Sequence, residues 1–196
     1  MTQLSLFDQG PQVLVDDASG RIVLATGVIP PALAASWFAS LREVIPWKSG
    51  RRAMYEREVD VPRLRAHYRA DDPQLPTVLG DALRAVRAAV DAPFDSIGLN
   101  LYRDHRDSVA PHNDKLADLQ RGQPIALLSL GATRGMTIRA KQPPRRVLQV
   151  ELEAGSVLSM SWDTQRHYDH GIPKQRDFCA PRISLAFRVR GPELRS

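Results

Sequence analysis

Apolar and polar positions follow two periods along this chain, and the change falls near residue 96. Before it, "QVLVDDASGRIVLAT" reads as two short strands around an Asp-Ala-Ser-Gly turn. "PPALAASWFASLREVI" then takes the helical period, entered through proline, with Leu33, Trp37, Phe38 and Leu41 gathered on one face. "LPTVLGDALRAVRAAV" predicts a second amphipathic helix whose stripe runs through Val78, Leu79, Leu83, Val86 and Val90. From residue 96 apolar residues recur at every second position, in "SIGLNLYRD", "PIALLSLGA", "MTIRA", "RVLQVEL", "SVLSMSW" and "RISLAFRVR". Closely spaced strands divided by Gly, Pro and Asp turns predict a sandwich or barrel. The expected class is α+β: an antiparallel double-sheet core with two N-terminal helices packed on the outside.

Length and composition narrow the picture. A chain of 196 residues, 43% hydrophobic, suits one domain with a substantial core. The division expected is a flexible segment over 1–10 and a single domain over 11–196. Cys179 is the sole cysteine, which excludes an intrachain disulfide and points to a reducing, cytoplasmic setting. The N-terminus lacks a basic-then-apolar signal pattern. The longest apolar stretch, Val28 to Ala39, is broken by Pro30, Pro31 and Ser36 and falls short of the roughly 20 residues of a membrane span. A soluble protein is expected.

The formal charge of +5 and pI near 9.8 favour a polyanionic partner. Arg51, Arg52, Arg57, Arg63, Arg65 and Arg69 cluster with Tyr55 and Tyr68, the mixture that a groove tracking a nucleic-acid backbone needs; a solvated strand or hairpin face would look the same.

Candidate chemistry centres on "SVAPHNDKLADL". On a strand, residues i and i+2 point the same way, so His112 and Asp114 can offer an imidazole and a carboxylate to one point. A polar surface turn is the competing reading. "TQRHYDHGIPK" supplies His167 and His170, and two histidines with one carboxylate form a facial set that leaves positions open on Fe(II). In "PRISLAFRVR", Ile183, Leu185, Phe187 and Val189 alternate with Arg182, Ser184, Arg188 and Arg190. That polar row lies either on a solvent-facing edge or on the lining of the barrel, where an arginine forks onto a carboxylate. Asn100 and Tyr102 alternate in the same way with Ile97, Leu99 and Leu101. A dicarboxylate held beside a metal fits these rows.

The set N-L-Y, H-N-D, T-Q-R-H-Y-D-H-G-I-P-K and P-R-I-S-L-A-F-R, with "VPRLRAHY" upstream, resembles the AlkB family of Fe(II)- and 2-oxoglutarate-dependent dioxygenases from about residue 60 to 190. The resemblance implies a double-stranded β-helix, or jelly-roll, core. It implies that His112, Asp114 and His170 hold Fe(II), with His167 a neighbour. It further implies that Arg182 pairs with the distal carboxylate of 2-oxoglutarate, that Asn100, Tyr102 and Ser184 hydrogen-bond the same molecule, and that Arg188 supports the metal-proximal end near Asp114. The activity implied is oxidative demethylation of N-alkylated bases, DNA favoured, with formaldehyde and succinate released.

Departures from the family bear on the substrate. Leu116 stands where repair members carry an acidic residue that meets the exocyclic amine of the methylated base. "RADDPQLP" replaces an aromatic-rich lid, and Ser184 replaces an asparagine. Substrate contacts are therefore expected from Arg65, Tyr68, Leu116 and Trp162, with Trp47, Tyr55, His67 and Tyr168 as further aromatic candidates. A small molecule or protein side chain is the alternative substrate, and a basic barrel without catalysis is a third reading. "QLSLF" resembles the peptide by which bacterial DNA-processing proteins dock on the replication sliding clamp, through Gln3, Leu4, Leu6 and Phe7. A monomer is expected.

Overall fold

The computed structural model describes residues 10–54 and 57–191, over 51–60 as backbone only. Strands β1 (Gln12–Asp17) and β2 (Gly20–Ala25) lead into helix α1 (Pro31–Val44). Strands β3 (Arg51–Met54), β4 (Arg57–Asp60) and β5 (Leu64–Arg69) precede α2 (Thr77–Ala89). The second half runs β6 (Ser96–Tyr102), β7 (Val109–His112), β8 (Ile125–Gly131), β9 (Arg134–Ala140), β10 (Val147–Leu152) and β11 (Val157–Met160). A one-turn helix α3 (Thr164–His167), β12 (Tyr168–Ile172) and β13 (Arg182–Arg188) complete it.

The strands form a seven-stranded sheet in the order β1-β2-β11-β8-β13-β6-β5 and a four-stranded sheet in the order β10-β9-β12-β7, with β3-β4 a separate hairpin. Neighbours pair antiparallel throughout. The two sheets make the double-sheet jelly roll that the period-2 segments imply. Alternation along each strand then sorts side chains into two cores. Outside the large sheet, Trp37 and Leu41 of α1 and Leu79, Leu83 and Val86 of α2 pack on Leu99, Leu128, Leu185 and Phe187. Between the sheets, Leu127, Leu158 and Met160 face Met136, Ile138, Leu152 and Ile172. Each such side chain contributes about 1.5–3 kcal/mol of hydrophobic stabilisation.

Some expectations shift. Leu33 is 42% exposed, because α1 buries Ala34, Trp37 and Leu41 and Leu33 stands one position round the helix from that line. His112 ends β7, whereas Asp114 lies beyond the strand, so the pair does not share one strand face. The arginine-rich segment folds as the β3-β4 hairpin followed by β5; Tyr55 lies outside the described residues, as does the clamp-like peptide over 3–7. Among the described residues no helix is long and apolar enough to cross a membrane.

Candidate active site

The antiparallel ladder between β7 and β12 sets His112 directly opposite His170, with ring centroids 4.6 Å apart. Gly171 permits this approach: a Cβ there would sit 2.9 Å from the Val109 carbonyl oxygen and 3.0 Å from the Pro111 nitrogen. Asp114 is carried in from the loop. Its N–H donates to Gln165 Oε1 at 3.0 Å, and its carboxylate accepts a fork from Arg188, 2.6 Å from Nε to Oδ2 and 3.2 Å from Nη2 to Oδ1. Ligand atoms of His112, Asp114 and His170 all lie within 4.8 Å of one another. His112 Nδ1 is 3.0 Å from the Ala110 carbonyl, which can only accept, so Nδ1 carries the proton and Nε2 is free to bind a cation.

Protonation suits a cation as well. Burial, aided by neighbouring His112, pulls His170 down to about 3, which keeps its imidazole neutral. Burial alone would raise Asp114, but the Arg188 guanidinium overrides it and holds the carboxyl below the usual range. Two imidazoles and one carboxylate make a donor set that can hold a divalent transition ion with positions left open.

Beside this cluster the inner face of the large sheet is polar. Residues directly opposite in an antiparallel pair share a face. Register sets Arg182 opposite Tyr102, and Ser184 opposite both Asn100 and Ser129. Arg182 is 1% exposed, donates from Nε to Ser129 Oγ at 2.9 Å and lies 5.4 Å from the Tyr102 ring centre. Burial pulls its pKa down to about 10, which leaves it charged at neutral pH. Its Nη1 and Nη2 are enclosed beside the Tyr102 side chain and have no acceptor in hydrogen-bonding geometry among the described residues. A buried guanidinium with two unanswered nitrogens calls for an anion. On the same face Asn100 Oδ1 accepts from Arg63 Nε at 2.7 Å. Gly98 leaves room for Arg188, whose Nη1 would lie 3.0 Å from an added Cβ.

The model of the 2OG-Fe(II) oxygenase superfamily matches residues 21–188. This chain belongs to that superfamily. It is 31% identical over 194 residues to alpha-ketoglutarate-dependent dioxygenase alkB homolog 3 of Bos taurus, spanning 89% of this chain and 68% of that one. It is 37% identical over 102 residues to the DNA oxidative demethylase ALKBH2 of Homo sapiens, spanning 48% of this chain and 39% of that one. A solved structure described as "The structure of OsALKBH1" superposes with a TM-score of 0.59 at 15% identity, covering 91% of this chain and all of the other, and agrees in fold. The protein is thus an AlkB-like dioxygenase that uses Fe(II) and 2-oxoglutarate, and its residues fit both: the His-Asp-His cluster suits the ion, and Arg182 suits a carboxylate of the cosubstrate.

The oxygenase opens to solvent through two clefts that meet at His112, Arg63 and Arg65. One, of about 640 Å³, is walled by Lys48, His67, Tyr68 and Arg188; the other, of about 980 Å³, by Lys115, Thr137, Arg139 and Lys174. No Asp or Glu is among the described residues lining either cleft. Of the sequence-derived substrate candidates, Arg65 and Tyr68 face the first cleft. Leu116, in a 3₁₀ turn, and Trp162, packed on the inter-sheet core between Arg121 and Arg166, line neither. Trp47 donates to the Leu41 carbonyl against the outer core, and buried Tyr168 bonds Ser19. His167 lines a separate cavity of about 420 Å³.

Sequence reasoning missed Gln165, Lys141 and Arg134. Lys141 Nζ donates to Asn113 Oδ1 and the Gln165 carbonyl at 2.8 and 2.9 Å, and so clips the loop that carries Asp114. Arg134, 1% exposed, donates to the carbonyls of Asp104, Asp107 and Pro173 and lies 5.6 Å from the Tyr102 ring centre. A basic residue within a strand of alternating burial was the available signal for Arg134.

Proposed function

We propose that this dioxygenase oxidatively demethylates N-alkylated bases in nucleic acid, with DNA the favoured polymer, as a repair enzyme. The balance is one methylated base, dioxygen and 2-oxoglutarate giving the unmethylated base, formaldehyde, succinate and carbon dioxide. His112, Asp114 and His170 would hold Fe(II), which activates oxygen for attack on the methyl group. Arg182 would grip the distal carboxylate of 2-oxoglutarate, with Tyr102, Asn100 and Ser184 as nearby hydrogen-bonding groups and Arg188 steadying Asp114. Arg65 and Tyr68 would meet the substrate, with Leu116 and Trp162 acting from further out.

The observation that carries this reading is the pair of clefts open onto His112 and lined by cations, with no carboxylate among the described lining residues, a surface suited to phosphates. It agrees with the nucleic-acid activity in the name of the ALKBH2 relative. Incubation with Fe(II), 2-oxoglutarate and a panel of methylated oligonucleotides is expected to release formaldehyde, and His112→Ala to abolish it. No formaldehyde from methylated single- or double-stranded DNA or RNA would overturn the reading. Leu116, in place of an acidic contact to the base, favours a small molecule or protein side chain as the second reading. Salt-independent DNA binding would support that one.

The reading also takes residues 11–196 as a single catalytic domain that is monomeric and cytoplasmic, preceded by a clamp-docking peptide. Titration of the full chain with a bacterial sliding clamp is expected to give binding that Phe7→Ala removes.

A further inference from the structure

One large apolar side chain stands far out from the described surface. Phe178 is 77% exposed, against 42–51% for Val13, Leu33, Val44 and Val147. The loop that carries it, between β12 and β13, is fastened from beneath. Arg134 donates to the Pro173 carbonyl at 2.8 Å and reaches Cys179 Sγ at 3.6 Å, while the Gln175 N–H donates to the His105 carbonyl at 2.9 Å. The same guanidinium binds the Asp104 and Asp107 carbonyls, so the 103–108 and 173–181 segments are tied to one buried charge. His105 then meets Phe178 edge-on, with ring centres 6.1 Å apart at 64°.

Both segments contribute to the larger basic cleft, which Ser108, Pro173 and Lys174 help to line together with His112. Beside Phe178, Arg176 and Asp177 are exposed and cancel in charge. Single-stranded nucleic acid is bound by cations that follow the phosphates and aromatic faces on which unpaired bases stack. A duplex keeps its bases stacked on one another and gains little from such a face. We propose that Phe178, braced by His105, is a stacking plate for an unpaired base flanking the target, that Lys174, Arg139 and Lys115 carry the intervening phosphates, and that the preferred substrate is single-stranded. This rests on the nucleic-acid reading above.

The test is fluorescence anisotropy of a single-stranded oligonucleotide containing 2-aminopurine beside a methylated base, and of its duplex, with the wild-type chain, Phe178→Ala and Phe178→Trp. Thermal unfolding of each variant checks folding. Phe178→Ala is expected to raise Kd for the single strand about five- to a hundredfold and to remove the 2-aminopurine quench, with Phe178→Trp restoring both. If the wild type binds the strand and releases formaldehyde, but Phe178→Ala binds and quenches equally well, the plate is refuted while the demethylase reading stands. A duplex that binds more tightly than the strand refutes the single-strand preference. Failure of the wild type to bind either form removes both proposals.

Discussion

At the scale of single residues, the site depends on charges held in unusual settings. Arg182 is buried with two nitrogens unanswered, so the cosubstrate-free protein carries a desolvated charge that contributes little to stability. Arg182→Met is expected to weaken 2-oxoglutarate binding at least about a hundredfold, by calorimetry, while unfolding free energy without cosubstrate stays within about 1 kcal/mol of wild type or above it. His67 shows the opposite sensitivity. Its Nε2 accepts from Arg190 Nη2 at 2.9 Å, which requires a neutral ring, and burial with Arg190, Arg188 and Arg69 lowers its pKa below 6.5. As pH falls below about 6.5 the unfolded chain takes up the proton first, so stability declines with acid until the folded-state pKa is passed. In metal-free protein, His67→Gln is expected to lessen the fall of Tm with acidification below pH 6.5. At those spacings the triad residues and Arg182 were equally open to a surface turn and a solvent-facing edge, and only the resemblance to a family singled them out. Gln165 and Lys141 were not singled out: a glutamine and a lysine have many surface uses, and only folding brings them against the loop of Asp114.

At the scale of elements, strands β6, β8 and β13 announce themselves because one face alternates cleanly into the outer core. The strands that carry the histidines do not. β7 is four residues long and β12 five, too short for a period to register, and each includes residues recruited for chemistry or close approach. Gly171 is the clearest case. Gly171→Ala presses a methyl group into the Val109 carbonyl and the Pro111 nitrogen, which parts β12 from β7 at the His112–His170 pair. Overpacking of this kind costs about 1–3 kcal/mol. Anaerobic metal titration is expected to show weaker Fe(II) binding in this variant by tenfold or more, with far-ultraviolet circular dichroism unchanged.

At the scale of the whole molecule, the large sheet divides the protein into a structural side and a chemical side. Helices α1 and α2 cover one face, and the ion and cosubstrate groups belong to the other. Damage to the helical side should therefore register as lost stability without lost affinity. Leu79→Ala, at a fully buried position on α2, is expected to cost about 2–5 kcal/mol in denaturant unfolding while Fe(II) and 2-oxoglutarate affinities stay within about twofold. Binary patterning revealed this division from sequence, since helices with a single apolar face need a sheet to cover. It could not reveal the clefts, which arise from how the segments flanking the β3-β4 hairpin, β5 and the loops after β6 and β12 converge.

The way Asp114 is held has a further consequence. Its histidine partners ride on the small sheet, while its own carboxylate is fastened to Arg188 of the large one. An ion bound among the three is a rivet through both halves of the roll. At a free concentration a hundred times its Kd, such a rivet adds about 2.7 kcal/mol. Stripping it with a chelator is expected to lower Tm and to speed amide exchange along β7 and β12, leaving β8, sewn between β11 and β13, as slow as before.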